Sequence, residues 1–325
     1  MKLVVTGGAG YIGSVVAEVL LAQGHDVIVF DNLSTGHRAA VPSGARFVAG
    51  DVRDDAALAR ALDRSVDAVL HFAAFSVVAE SVQKPREYFD NNVGGTHSLL
   101  RAMSRFEIRR MVFSSTAAVY GTPAALPIEE TAPCVPENPY GASKLEVERA
   151  LEAARTEWGL SYAALRYFNA GGATAERGED HRPESHLIPV VLDTALGRRE
   201  SITVFGNDYD TRDGTCLRDY IHISDLASAH VLALDAMARG FSGALNLGSE
   251  KGFTVLEVIR AVERITGRGV SVHIGPRRPG DPPALLASSR AAVETLRWQR
   301  RASDLDEIVR SAYAWRVANP GGYGG

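Results

Sequence analysis

Cysteine is nearly absent from this chain: there are 2 in 325 residues, Cys134 and Cys216. That excludes a disulfide scaffold and any CxxC redox or zinc motif. It is the usage expected of a protein in a reducing compartment, so a cytoplasmic location is expected. Long hydrophobic runs are also missing. No stretch approaches the ~20 apolar residues of a membrane span. The opening Met1-Lys2-Leu3-Val4-Val5-Thr6-Gly7-Gly8 meets glycine before it reaches the about 7–15 apolar residues of a secretory h-region. Neither sign of charge dominates: 35 Lys+Arg against 39 Asp+Glu leave a net charge of −4. With no basic block there is no electrostatic footprint for nucleic acid. What remains is ordinary globular composition, with 46% hydrophobic and 23% charged residues, in a chain long enough to bury a large core without staples.

The first half alternates short β-branched runs with helical patterns. Strands are expected at Leu3–Thr6, Val27–Phe30, Arg46–Ala49, Asp67–Phe72, Arg110–Ser114 and Ser161–Arg166. Between them, apolar residues recur at helical spacing over Ile12–Gln23, Asp54–Leu62, Glu87–Arg105 and Tyr140–Trp158. Strands alternating with helices of this length predict βαβ units and an α/β fold with a doubly wound, Rossmann-type parallel sheet. After Asn169 the texture changes. Gly171–Glu184 reads as a polar loop, a helix follows near Leu187–Leu196, Asn207–Gly214 reads as another loop, and the glycine-rich end Pro320–Gly325 reads as frayed. Residues 1–170 are therefore expected to form the dinucleotide domain. Residues 171–325 are expected to form a smaller mixed α/β substrate domain, with some segments packing back on the first.

Gly7-Gly8-Ala9-Gly10-Tyr11-Ile12-Gly13 sits between the first strand and the first helix. Glycines there permit a tight turn and let the backbone approach a pyrophosphate at the positive end of the helix. Asp31 ends the second strand, where a carboxylate can hydrogen-bond ribose hydroxyls. It also repels a 2′-phosphate, and Asn32-Leu33-Ser34 supplies no arginine, so NAD is favoured over NADP. Asp51-Val52 ends the third strand. A carboxylate at that point can meet an adenine amino group or serve only in the turn before the next helix, and the sequence leaves both open.

Tyr140-Gly141-Ala142-Ser143-Lys144 places a phenol and an ammonium one turn apart on a helix. A free tyrosine titrates near ~10, too high for a base at neutral pH. A neighbouring cation favours its phenolate, which is what removal of a hydroxyl proton needs. Ser115-Thr116 ends the adjacent strand, so Thr116 can hydrogen-bond the same hydroxyl.

These segments resemble the extended short-chain dehydrogenase/reductase family, and within it the nucleotide-sugar 4-epimerases. The resemblance covers nearly the whole chain. It is carried most specifically by Glu80-Ser81-Val82-Gln83-Lys84-Pro85, Tyr88-Phe89-Asp90-Asn91-Asn92, Leu165-Arg166-Tyr167-Phe168-Asn169, Phe205-Gly206-Asn207-Asp208-Tyr209 and Arg218-Asp219-Tyr220-Ile221-His222. It implies bound NAD that is not consumed, a UDP-hexose substrate with UDP-galactose and UDP-glucose as the leading pair, and a homodimer. Tyr140, Thr116 and Lys144 would be catalytic. The NAD site would comprise Gly7, Gly10, Tyr11, Ile12, Gly13, Asp31, Asn32, Asp51, Val52, Phe72, Ala73, Ala74, Asn92, Ser114, Tyr140, Lys144 and Tyr167. The nucleotide-sugar site would comprise Thr116, Asn169, His186, Leu187, Thr203, Phe205, Arg218, Arg278, Asp281 and Leu285.

Physical chemistry is compatible with these roles. Arg218 and Arg278 can fork onto a diphosphate, and Phe205 can flank uracil. Read along the chain, however, Arg218 with Asp219 and Arg278 with Asp281 are equally surface ion pairs. His181 and His186 lie close in sequence, but no third ligand stands near them in a metal-site spacing, so no metal is expected. His71 and His222 fall in apolar runs and read as satisfied, partly buried histidines.

Three positions depart from or refine the family pattern. Ser76 stands where some members have lysine, Thr116 keeps the catalytic hydroxyl, and Leu285 is intermediate in size at the position gating the sugar pocket. The last leaves N-acetylhexosamines and pentoses open. A 4,6-dehydratase needs an acid–base pair after Thr116, where Ala117-Ala118 stands; a UDP-glucuronate decarboxylase needs a glutamate at that strand end; a non-catalytic NAD sensor would not need Tyr140 and Lys144.

Overall fold

The computed structural model describes residues 1–278 and 281–324. Strands β1 (Lys2–Thr6), β2 (Asp26–Asp31), β3 (Arg46–Ala49), β4 (Ala68–His71), β5 (Arg110–Thr116) and β6 (Ser161–Tyr167) form one sheet with a seventh strand, Gly243–Leu247. The order is Gly243–Leu247, β6, β5, β4, β1, β2, β3. Every neighbouring pair is parallel. The order reverses between β1 and β4, and ligands of doubly wound sheets bind at such a switch point, beyond the carboxyl ends of the strands.

Both faces of the sheet are covered, which is why its strands read as continuous apolar runs. Along β1 the pleat sends Leu3 and Val5 to one face and Val4 to the other. The first face packs against Tyr11–Ala22 and Ile223–Ala238, through Val15, Val16, Leu20, Leu226 and Leu234. The second packs against Asp55–Ala61, Gly95–Arg105 and Pro139–Trp158, through Leu58, Leu99, Met103, Val147 and Leu151. Each such fully buried side chain contributes about 1.5–3 kcal/mol relative to exposure.

Beyond Gly171 the chain goes to two places. Ile223–Ala238 and Gly243–Leu247 extend the layers of the sheet. Leu187–Ala195, Val255–Thr266 and Leu305–Ala318 instead enclose a separate core with Ile202 and Val204. That smaller unit carries short pairings, among them Ile202–Phe205 with Val272–Gly275 and Leu217–Arg218 with Ala284–Leu285. No helix among the described residues is long and apolar enough to cross a membrane.

Two segments differ from the sequence expectation. The helix expected over Glu87–Arg105 is Pro85–Phe89, a π turn at Asp90–Gly94, and then Gly95–Arg105. Asn92 lies in this turn: its side chain donates to Phe75 O at 3.0 Å and to Ser143 Oγ at 3.0 Å, and accepts from Phe75 N at 2.8 Å. Thr96 Oγ1 also donates to Asn92 O at 2.6 Å, and a side-chain bond to a helix carbonyl, together with the Gly94-Gly95 pair, competes with regular helix. The described part of the C-terminal end is pinned rather than frayed. The Tyr323 ring lies 5.3 Å from His37 and 5.2 Å from Trp315, and its hydroxyl accepts from Gly178 N at 3.0 Å. One aromatic side chain supplies the buried surface that the flanking glycines lack; Gly325 lies outside the described residues.

Candidate active site

A cleft of about 1040 Å³ opens at the carboxyl edge of the sheet and runs into the smaller unit. That volume stands at the upper end of the about 300–1,000 Å³ range of small-molecule pockets. Of the residues expected in the two sites, all line this cleft except Asp51 and Asn92.

The glycine turn forms its floor. Gly7 has φ +71°, and a Cβ on it would stand 2.5 Å from Ala73 N. A Cβ on Gly13 would stand 2.3 Å from Gly7 O. Backbone therefore packs on backbone, and only glycine fits. The helix that follows begins at Gly10 with no side-chain cap and no acidic residue in its first turn. Its first N–H groups and dipole are left for an anion, as a pyrophosphate requires. Asp31 is buried at the end of β2; its carboxylate accepts from Ala9 N at 3.0 Å and Leu33 N at 2.8 Å. Burial raises its pKa, and those two backbone donors lower it. Each oxygen takes one of these donors and keeps acceptor capacity for a ribose hydroxyl.

Asp51 is committed elsewhere. Arg53 bonds it bidentately, through Nε at 2.9 Å and Nη2 at 2.8 Å, and Asn32 donates to it at 3.0 Å. The next helix is capped by Asp54, which accepts from Ala56 N and Ala57 N. Asn92, as described, ties the Phe75 backbone to the tyrosine helix. Its neighbour Asn91 lines the cleft, as does Phe75; no sequence signal separates Asn91 from Asn92, because the π turn decides which one faces inward.

Tyr140 stands at the start of the helix Pro139–Trp158. Asn138 caps that helix by accepting from Gly141 N at 2.8 Å, and Pro139 fits its first turn. Thr116 faces it from the end of β5, and its Oγ1 also accepts from Ala118 N at 3.1 Å. Burial pushes the Tyr140 phenol up to about 12, and its hydrogen bond with Thr116 opposes the shift. Lys144 is buried one turn on and donates from Nζ to Ser114 O at 2.8 Å. Its Nζ lies 5.9 Å from the Tyr140 ring centroid. Burial pushes the Lys144 ammonium down to about 7, and the Glu148 charge opposes that. Tyr167 closes this corner, with its hydroxyl bonded to Ser114 Oγ.

The opposite wall comes from the smaller unit. Arg278 lies 4.0 Å over the Phe205 ring. Arg218 is paired with Asp281, not with its sequence neighbour. Asp219 is buried and accepts from Ser249 N at 2.6 Å, Glu250 N at 3.1 Å and Ala287 N at 3.1 Å. The ion pairs suggested along the chain are therefore not those formed. Asn169 donates to Asp219 O at 3.0 Å. Leu285 and Phe168 both pack against the small cluster of Val119, Tyr120, Ile128 and Leu145.

His71 and His222 are satisfied. His71 bonds Thr6 Oγ1 at 2.6 Å and Thr96 Oγ1 at 3.0 Å, and burial pushes it down to about 3. His222 accepts from Ser224 N at 3.1 Å, capping Ile223–Ala238. His186 and His181 are not isolated, because the fold brings Glu179 and Glu184 to them.

Comparison with known proteins agrees with this geometry. The chain is 49% identical over 328 residues to a UDP-glucose 4-epimerase of Lacticaseibacillus casei, covering 100% of this chain and 99% of the relative. It superposes with TM-score 0.93 on the UDP-glucose 4-epimerase of Brucella ovis in complex with NAD, at 47% identity over 96% of this chain and 97% of that one. It also superposes with TM-score 0.94 on the Bifidobacterium longum UDP-glucose 4-epimerase in complex with NAD⁺ and UDP, at 39% identity over 99% and 100% of the two chains. Residues 3–248 match the NAD dependent epimerase/dehydratase family, and the chain belongs to it.

Proposed function

We propose that this chain is an isomerase that inverts C4 of a UDP-hexose, UDP-galactose to UDP-glucose and back, through a transient 4-keto sugar. The single observation that carries the reading is that Tyr140, Thr116 and Lys144 face the same cleft as the glycine turn and the Arg218–Phe205–Arg278 wall. The Gly7–Gly13 turn, the uncapped helix start and Asp31 fit NAD, and would hold its pyrophosphate and adenosine ribose. NAD held there would supply the hydride acceptor and donor for C4 of the sugar.

The rest belongs to the protein. Tyr140 takes the O4 proton and gives it back, and Thr116 holds O4 by hydrogen bonding to it. Left alone, a buried phenol near 12 is a poor base at neutral pH. The Lys144 ammonium, anchored on Ser114 O, lies beside the ring and supplies the positive charge that stabilises the phenolate. Arg218 and Arg278 bind the diphosphate, with Arg218 exchanging its Asp281 partner for phosphate oxygens. The UDP end stays fixed, and the width of the cleft lets the keto sugar turn over. A dehydratase is disfavoured by Ala117 and Ala118, which follow Thr116 in a short 3₁₀ turn and carry no proton-transfer group. Leu285 lines the cleft, which supports the gate reading, and its side chain admits larger C2 substituents than tyrosine would. The protein acts in the cytoplasm as a homodimer.

The test is incubation of purified protein with UDP-galactose and no added cofactor, followed by NMR of the anomeric protons. Appearance of UDP-glucose is expected, with NAD carried through purification. Conversion to a 4-keto-6-deoxy product, or no change after NAD⁺ is added, defeats the reading.

A further inference from the structure

The last turn of the chain, Gly322–Gly324, is remote in sequence from the reacting groups, yet it touches two loops of the cleft at once. On one side the Tyr323 ring lies 5.3 Å from His37. On the other its hydroxyl accepts from Gly178 N at 3.0 Å, and its backbone N–H donates to Asp180 Oδ2 at 3.0 Å. His37 closes the triangle, with Nε2 2.8 Å from Asp180 O and 3.4 Å from Asp180 Oδ2. We propose that Tyr323 is a positioning residue for NAD: the C-terminal turn clasps the loop 34–37 against the loop 178–181 and so sets how slowly the cofactor leaves. The proposal rests on the reading of the glycine turn and Asp31 as the NAD site.

Three observations carry it. The first is where the clasped loop leads. Ser34, Thr35 and Gly36 line the cleft together with Asp31 and the glycine turn. His37 N donates to Ala9 O at 2.9 Å, and Ala9 N donates to Asp31 Oδ2 at 3.0 Å. A Cβ on Gly36 would stand 2.8 Å from Ala9 C. The loop is therefore laid directly on the glycine turn, and a shift of His37 reaches Asp31 through that pair of hydrogen bonds. The second is the fit of the tail. Gly322 has φ +66°, and a Cβ on it would overlap the Asp180 carboxylate. Trp315 lies 5.2 Å from Tyr323 and covers Gly178, where a Cβ would overlap the indole. Arg182 Nη2 donates to Gly321 O at 2.8 Å. Rings, backbone and a carboxylate interlock here, and tilted aromatic pairs add to the area they bury.

The third is that the loop 178–181 has other anchors. Arg177 is buried and ties it to the sheet unit, through Nε to Ala40 O at 3.0 Å and through an ion pair with Glu18. Arg316 Nη1 donates to Glu179 O at 3.1 Å. These hold the substrate-side loop whether or not the tail is in place. What the His37–Tyr323–Asp180 contact adds is order in the loop 34–37, which is exposed or half-buried along its length. Ligand-covering loops are drawn from the low-stability end of a protein. Order added to such a loop is read mainly in the rate at which its ligand leaves.

The experiment uses the full chain loaded with NAD. Exchange of the bound cofactor against radiolabelled NAD⁺ is followed in wild type, Tyr323→Ala, His37→Ala and the double variant, with urea unfolding in parallel. Each single variant is expected to exchange about tenfold faster than wild type. Tyr323→Phe keeps the ring and should stay within about threefold of wild type. The double variant should exchange no faster than the faster single one, because both substitutions break one contact. Gly322→Ala displaces the turn while keeping both rings; it should raise exchange alike, and it replaces Tyr323→Ala if that protein does not fold. A tyrosine that is merely structural would lower the urea midpoint and leave exchange at the wild-type rate, and that result overturns the proposal. Independent, multiplying effects of Tyr323→Ala and His37→Ala overturn it too. Wild type that takes up no labelled NAD⁺ overturns the NAD site itself, and the clasp with it.

Discussion

Gly141 directly follows Tyr140 in the chain, and its lack of a side chain sets how closely the tyrosine helix approaches the turn after Thr116. A Cβ at this position would stand 2.4 Å from Ala118 O and 2.9 Å from Ala118 C. Those atoms belong to the turn that follows Thr116, so relief requires the tyrosine helix and the β5 end to separate. Normal contact begins near 3.4 Å, so the gap must open by about 1 Å. On an exposed helix, Gly→Ala stabilises by about 1 kcal/mol. Here the backbone clash reverses that sign, and overpacking of this kind costs about 1–3 kcal/mol. The catalytic consequence is larger, because misplacing a reacting group by about 1 Å can cost 10²-fold. Gly141→Ala is therefore predicted to lower kcat about 10²-fold while KM for the UDP-sugar changes little, since the diphosphate wall lies on the other unit. The assay is steady-state conversion of UDP-galactose coupled to detection of UDP-glucose, with thermal unfolding and NAD content measured in parallel. A Gly141→Ala enzyme with wild-type kcat would falsify the claim that this contact sets the Tyr140–Thr116 approach.

Four further outcomes follow from the same geometry. Tyr140→Phe removes the base, and we predict a kcat loss of about 10²–10⁴ with NAD retained; comparable loss of NAD would show a binding role instead. Lys144 is held near 7 in the fold against 10.5 when free. The unfolded chain therefore binds more protons between those values, so NAD-free protein should gain stability as pH rises through that window. Urea unfolding across it should show the gain in wild type and not in Lys144→Met. Glu148 and Arg166 are each 8% exposed and share a 2.9 Å bond behind Ser115. Glu148→Gln strands the arginine and is predicted to cost about 3–5 kcal/mol, read as a lower urea midpoint at unchanged slope. Leu285→Tyr should depress the rate on UDP-N-acetylhexosamines relative to UDP-galactose, and an unchanged ratio would remove Leu285 as the gate.

Local features were readable along the chain because local physics produces them. The glycine turn reads from its spacing because its close approaches are made within a few residues and to the adjacent strand. The six N-terminal strands read from β-branched runs because both faces of a parallel sheet are apolar. Tyr140 and Lys144 read as a pair because the helix places them one turn apart. Partnerships made across the fold could not be read this way. Arg218 has an aspartate beside it in sequence yet pairs with Asp281, because Asp219 is drawn into a buried nest of Ser249, Glu250 and Ala287 backbone donors. Asn92 is consumed by Phe75 and Ser143, which leaves Asn91 in the cleft.

By itself, then, the sequence determined the alternating architecture, the dinucleotide-type turn and the chemistry of Tyr140, Thr116 and Lys144, since each depends on residue type and short spacing. Tertiary structure alone decided which charges find partners, which asparagine faces the cleft and how Glu179, His181, Glu184 and His186 meet. It also pinned Tyr323 against His37 and Trp315. The physical reason is the same in each case. A charge, an amide or an aromatic ring is satisfied by whatever lies within a few ångströms, and only the folded path of the chain sets those neighbours.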